Sequence, residues 1–136
     1  LIGNYRLPWG FRIWRGQGQC SPAHLALKLL VGLPRFFKQV FQIRVLADGG
    51  FASDDFLGGV VRLGLEALVA IRHDRRLLDG RYLDDTKQAE QVKLLALDVP
   101  LWVAHFTWRN KDGSSEQRYI VATFQATARY LIKVGK

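Results

Sequence analysis

A chain of 136 residues, 49% hydrophobic and 12% aromatic, has enough apolar surface for one ordinary domain, and its single cysteine, Cys20, excludes an internal disulfide framework. No apolar run is long enough to span a bilayer, so no membrane partner is expected and the cytoplasm is the expected location. The net charge of +8 suits an anionic partner such as nucleic acid, and on equal terms a surface charged only for solubility.

That charge is unevenly spread. Arg6, Arg12, Arg15, Lys28, Arg35, Lys38 and Arg44 precede the first acid, Asp48, and no acid follows Glu116. Residues 4–15, "NYRLPWGFRIWR", read as one or two short aromatic-rich strands interrupted at Pro8 and Gly10. "GQGQC" at 16–20 is a loop. Ser21 and Pro22 then open a helix in which Leu25, Leu29 and Gly32, with Ala26 and Leu30, recur at helical spacing, and Pro34 ends or bends it.

"QIRVLAD" at 42–48 is the clearest strand, followed by a Gly49-Gly50 turn, an N-cap at Ser53 and a helix over 54–64 closed by Gly64. "ALVAIRH" at 67–73 is the next strand. Strand, helix and strand in this order predict a right-handed crossover between two parallel strands, hence α/β character. From Asp74 the polar, turn-rich "DRRLLDGRYLDDTKQAEQ" reads as a surface loop or arm. "VKLLAL" and "PLWVAHFTWRN" are strand-like, and "KDGSS" joins the latter to "EQRYIVATF" as a hairpin with an Asp-Gly turn. Thr127 starts a last helix over 127–136. The chain contains no internal repeat.

Asp48 is the best single site candidate, because ligands of open α/β sheets bind beyond the carboxyl ends of strands. Beside that stands a structural role, with its carboxylate capping the amides of the following turn. A catalytic Mg²⁺ needs more than one acid. The other acids have ordinary explanations: Asp54 and Asp55 complement a helix dipole, Glu66, Asp74, Asp79, Asp84, Asp85, Glu90 and Asp98 fall in a loop-rich region, and Glu116 sits at the hairpin mouth. His24, His73 and His105 lack metal-site spacing. A Cys20 thiol paired with His24 or His105 is a third, weaker chemistry. The glycine pairs at 49–50 and 58–59 match neither a P-loop nor a dinucleotide fingerprint. "RHDRR" at 72–76 is the densest basic cluster and, leaving a strand next to Asp48, offers Arg72, Arg75 and Arg76 for phosphate contact, or is merely a solvated strand exit. Trp9, Trp14, Trp102, Phe106 and Trp108 could stack on bases, although alternation in strands favours the core.

"RVLADGGFASDDFL" followed by "LVAIRHDRRLLDGRYL" resembles the catalytic domain of bacterial insertion-sequence transposases of the DDE class, in particular the insertion-sequence-four type. "NYRLPWGFRIWRGQGQCSPAHLALKLL" and "LDVPLWVAHFTW" resemble the same group. The resemblance implies a ribonuclease H-like mixed sheet with helices: an incomplete core over 1–73, a β-rich insertion with a loop arm over 74–126, and the start of a core helix over 127–136. It implies DNA as partner, a homodimer for the full-length protein, and two Mg²⁺ ions held by two aspartates and a glutamate, with Asp48 the second aspartate. No acid precedes Asp48 and no glutamate follows Glu116, and the sequence contains no methionine. An internal, inactive piece of a longer transposase is therefore expected. The alternative is a non-catalytic basic module that binds nucleic acid or inhibits.

Overall fold

The structure, a computed structural model, describes residue 10, residues 12–18 and residues 20–135. Most of the aromatic segment expected as strands, including Trp9, lies outside them; Gly10 and residues 12–18 form neither strand nor helix. Helix α1 (Pro22–Val31) starts as its signals dictate, with the Ser21 hydroxyl accepting the His24 N–H at 3.2 Å and Pro22 in the first turn. Its core face is Ala23, Ala26, Leu27 and Leu30 rather than the Leu25 and Leu29 row. Pro34 does more than end this element: it heads a second short helix, α2 (Arg35–Val40).

Strand β1 (Arg44–Ala47), a 3-10 turn (Gly49–Phe51), helix α3 (Asp54–Arg62) and strand β2 (Glu66–Ile71) follow in the expected order. The Ser53 hydroxyl caps α3 by accepting the Phe56 N–H, and the helix stops just before Gly64, whose φ of +74° suits glycine. β1 and β2 pair in parallel, Arg44 opposite Glu66 through Ala47 opposite Val69. The crossover read from the sequence is therefore present.

The remaining strands are β3 (Gln91–Leu94), β4 (Leu97–Arg109) and β5 (Ser115–Ala122), and helix α4 (Ala128–Gly135) closes the chain. They join β1 and β2 in one five-stranded mixed sheet of order β1-β2-β5-β4-β3, antiparallel everywhere except at β1-β2. The β-rich section thus continues the same sheet outward from β2. The architecture is mixed α/β: α1 and α3 lie on one face, α4 on the other.

Helices α1 and α3 approach so closely that a Cβ at Gly59 would stand 2.7 Å from Leu27 Cδ2. On the other face Arg44 anchors α4, since its Nε contacts Glu66 at 2.6 Å, its guanidinium lies 4.2 Å from the centre of the Phe124 ring, and it donates to the Tyr130 hydroxyl. The polar arm after Asp74 is less of a surface loop than its composition suggests. Leu77, Leu83 and Thr86 are buried, and Leu77 bridges to Leu94 of β3. Three inward residues on a charged background leave no periodicity to read. Among the described residues no helix is long and apolar enough to cross a membrane.

Candidate nucleic-acid interface

Asp48 follows β1 at its carboxyl end. The residue is exposed, so a lone carboxylate there carries no burial penalty. Its Oδ1 accepts the Gly50 N–H at 2.9 Å, which closes the 3-10 turn, while Ser53 rather than Asp48 caps α3. One carboxylate oxygen of this exposed residue is thus committed to the backbone.

Beyond Asp48 lies a cavity of about 610 Å³ on the α4 side of the sheet, into which Arg72, Phe106, Trp108 and Arg118 also project. A second hollow of about 390 Å³ continues it past Leu46 and Val134, again with Asp48 and Arg118 in its wall. Strand alternation explains this lining. Ile120 packs beneath α4, so Arg118 and Glu116, two and four residues earlier on β5, share its face. On β4, Phe106 is opposite Arg118 and Trp108 opposite Glu116.

The Arg118 guanidinium lies over the Trp108 ring, 4.5 Å from its centre, and its Nε donates to Glu116 Oε1 at 2.5 Å. Arg72 is held in the same manner by Asp74, at 2.6 Å. His73, also in the cavity wall, places Nδ1 3.4 Å from Asp84.

The arginines expected to contact phosphate therefore divide. Arg72 faces the cavity beside Asp48. Arg75 turns inward, donating to the Ala52 carbonyl at 2.6 Å and to Asp54 at 2.7 Å, and so fastens the start of α3 to the strand exit. Arg76 lies over the Tyr82 ring, 5.7 Å from its centre, and does not line the cavity that holds Asp48. Cys20 is exposed, with Lys28 Nζ 4.0 Å from its sulfur. His105 is engaged elsewhere, its Nδ1 accepting from Gln117 at 2.8 Å. Sequence reasoning passes over Arg118, reads Glu116 as an exposed charge, and weighs Trp108 as a base-stacking ring against a core residue. The signal that finds them is register, because the hairpin centred on Gly113 sets both arms on the α4 face.

Among the described residues no group of three or more His, Cys, Asp or Glu side chains could hold a metal ion. Asp48, with Oδ1 already engaged, is a single ligand, and the described residues do not fit a two-Mg²⁺ site by themselves. No protein-family model matches the sequence, and no curated protein matches it.

Proposed function

We propose that the chain is a DNA-binding part of the catalytic domain of a DDE-class transposase of the insertion-sequence-four type, with a ribonuclease H-like sheet. The observation that supports this best is the position of Asp48: it follows the first strand of a parallel pair and opens on a cavity shared with Arg72 and Arg118. A carboxylate beside two guanidinium groups suits a phosphodiester. On this reading Asp48 is one ligand of a Mg²⁺ site whose other carboxylates lie outside the described residues. The described residues alone bind DNA without cutting it.

One observation favours a second reading, a non-catalytic nucleic-acid-binding module: Asp48 already has a structural task in capping Gly50. Both readings require DNA binding. The first test is therefore binding of a labelled duplex by fluorescence anisotropy across a salt series, with Mn²⁺ calorimetry and a nicking assay on the wild type and Asp48→Asn. Binding that weakens steeply with salt, with neither tight Mn²⁺ binding nor nicking, is expected, and no binding at the lowest salt would overturn both readings. The two part over the protein encoded by the whole surrounding reading frame. Metal-dependent nicking that Asp48→Asn abolishes supports the transposase, and intact DNA binding with no nicking supports the module.

A further inference from the structure

We infer that Arg118 and Arg72 form a two-arginine clamp for one backbone phosphate of a nucleic acid, and that Glu116 and Asp74 hold the two guanidinium groups in place until the phosphate displaces them. The inference deepens the DNA-binding reading above and rests on it. It begins with strand register. Ile71 opposite Tyr119 is the last pair of the antiparallel β2-β5 ladder, so Arg72, just past the end of β2, and Arg118, on β5, are the next residues along the two chains. Both reach the cavity that Asp48 enters.

Two like charges so placed repel each other unless something compensates. Each has an acid two residues away on its own chain, Asp74 for Arg72 at 2.6 Å and Glu116 for Arg118 at 2.5 Å. Those acids are themselves about half exposed, at 46% and 47%, so the pairs are solvent-screened and easily exchanged. A phosphodiester offers the same bidentate geometry as a carboxylate and can satisfy two arginines at once.

Trp108 supplies what distinguishes this arrangement from a pair of loose surface arginines. Its ring supports the Arg118 guanidinium from one side at 4.5 Å, which fixes the plane of the donor fork while leaving its outer edge to the cavity. Arg118 is also the less exposed of the two, at 45% against 76% for Arg72. Arg118 is therefore the member of the clamp oriented by a ring, and Arg72 the more exposed one.

The experiment is duplex binding by the full chain across a salt series, comparing the wild type with Arg118→Gln, Arg118→Lys, Glu116→Gln and the charge control Arg62→Gln on α3, across the sheet. Arg118→Gln should lower the slope of log affinity against log salt by about 0.9 and weaken binding about tenfold near 0.1 M salt. Arg118→Lys should keep the slope and lose affinity several-fold, because a point charge replaces the fork. Glu116→Gln should tighten binding, and Arg62→Gln should leave it unchanged. Thermal unfolding of each variant reports its fold; should Arg118→Gln unfold, the lysine and Glu116 variants decide. A wild type that binds DNA while Arg118→Gln and Arg118→Lys bind equally well overturns the clamp and leaves the DNA-binding reading standing. A loss in Arg62→Gln as large as in Arg118→Gln also overturns it, since only total charge would then matter. A wild type that does not bind at all overturns both.

Discussion

Among the described residues, the face of the sheet under α1 and α3 carries eighteen buried residues of the core, from Ala23 to Val121, whereas the face under α4 carries six, from Leu68 to Leu131. The cause is length. At 1.5 Å per residue the eight residues of α4 reach only about 12 Å, while the thirteen of β4 run for about 44 Å at strand rise. A helix of that size covers Leu68, Ala104 and Ala122 and stops short of the outer halves of β4 and β5. That remainder is where Phe106, Trp108 and Arg118 meet Asp48 around the cavity. Among the described residues one face carries most of the packed core, and the other carries the charged chemistry.

The largest test of this asymmetry is a pair of truncations. Phe56 of α3 is 1% exposed in the larger cluster, and Phe56→Ala should cost about 4 kcal/mol of global stability, read as a fall in denaturation midpoint with unchanged slope. Leu131 of α4 is fully buried too, yet Leu131→Ala should cost about 2 kcal/mol, with hydrogen-exchange protection falling first in residues 128–135. Equal losses with global loss of protection in both variants would mean that the two faces form one cooperative core.

The well-filled face was the legible one. Its elements announce themselves locally: Ser21 and Pro22 open α1, Ser53 opens α3, and the apolar run ending at Asp48 is β1. These are short-range signals, each a cap or a period. Helix α2 went unread because "RFFKQV" is six residues with two adjacent phenylalanines and no side-chain cap. The buried anchors Leu77 and Leu83 were hidden because an arm that dips inward at isolated points has no period. The candidate site was legible at Asp48 and Arg72. Arg118 was not, because its partners come from β4 and from the far end of β2, and only strand pairing brings them together. Arg75 looked equivalent to Arg72 in "RHDRR", but at the chain's turn one side chain goes to the cavity and the other to Asp54.

Acid should discriminate next, since the ion pairs of the arm support the filled face. The Arg81 guanidinium, at 2.6 Å, followed by the Lys87 N–H, holds the Glu90 carboxyl below the usual glutamate range. A carboxylate with a depressed pKa in the folded state contributes stability above its unfolded pKa of about 4.3 and loses it as pH falls through the folded value. The melting temperature should therefore decline from about pH 4.5 downward, and Glu90→Gln should flatten part of that decline while lowering stability at pH 7. An unchanged acid limb in Glu90→Gln would place the acid sensitivity elsewhere, with the other low-pKa carboxylates, Asp79, Asp98 and Asp112, as its sources.

The smallest expected effect concerns Ala89, the one non-glycine residue with positive φ among the described residues, at +57°. An L-residue in that region is strained by roughly 1 kcal/mol, and it persists where neighbouring bonds enforce it. Here its N–H donates to the Val103 carbonyl at 2.8 Å and the Val103 N–H returns to the Glu90 carbonyl at 3.0 Å, stitching the end of the arm to β4. Val103 belongs to the larger core cluster, so the strain lies on the filled face. Ala89→Gly relieves it but adds backbone freedom to the unfolded chain, and the two effects nearly offset. A net gain of about 0.5 kcal/mol by chemical denaturation is expected, with no change in DNA binding. A loss of stability would mean that the unfolded-state term dominates and that the arm tolerates its left-handed residue without strain.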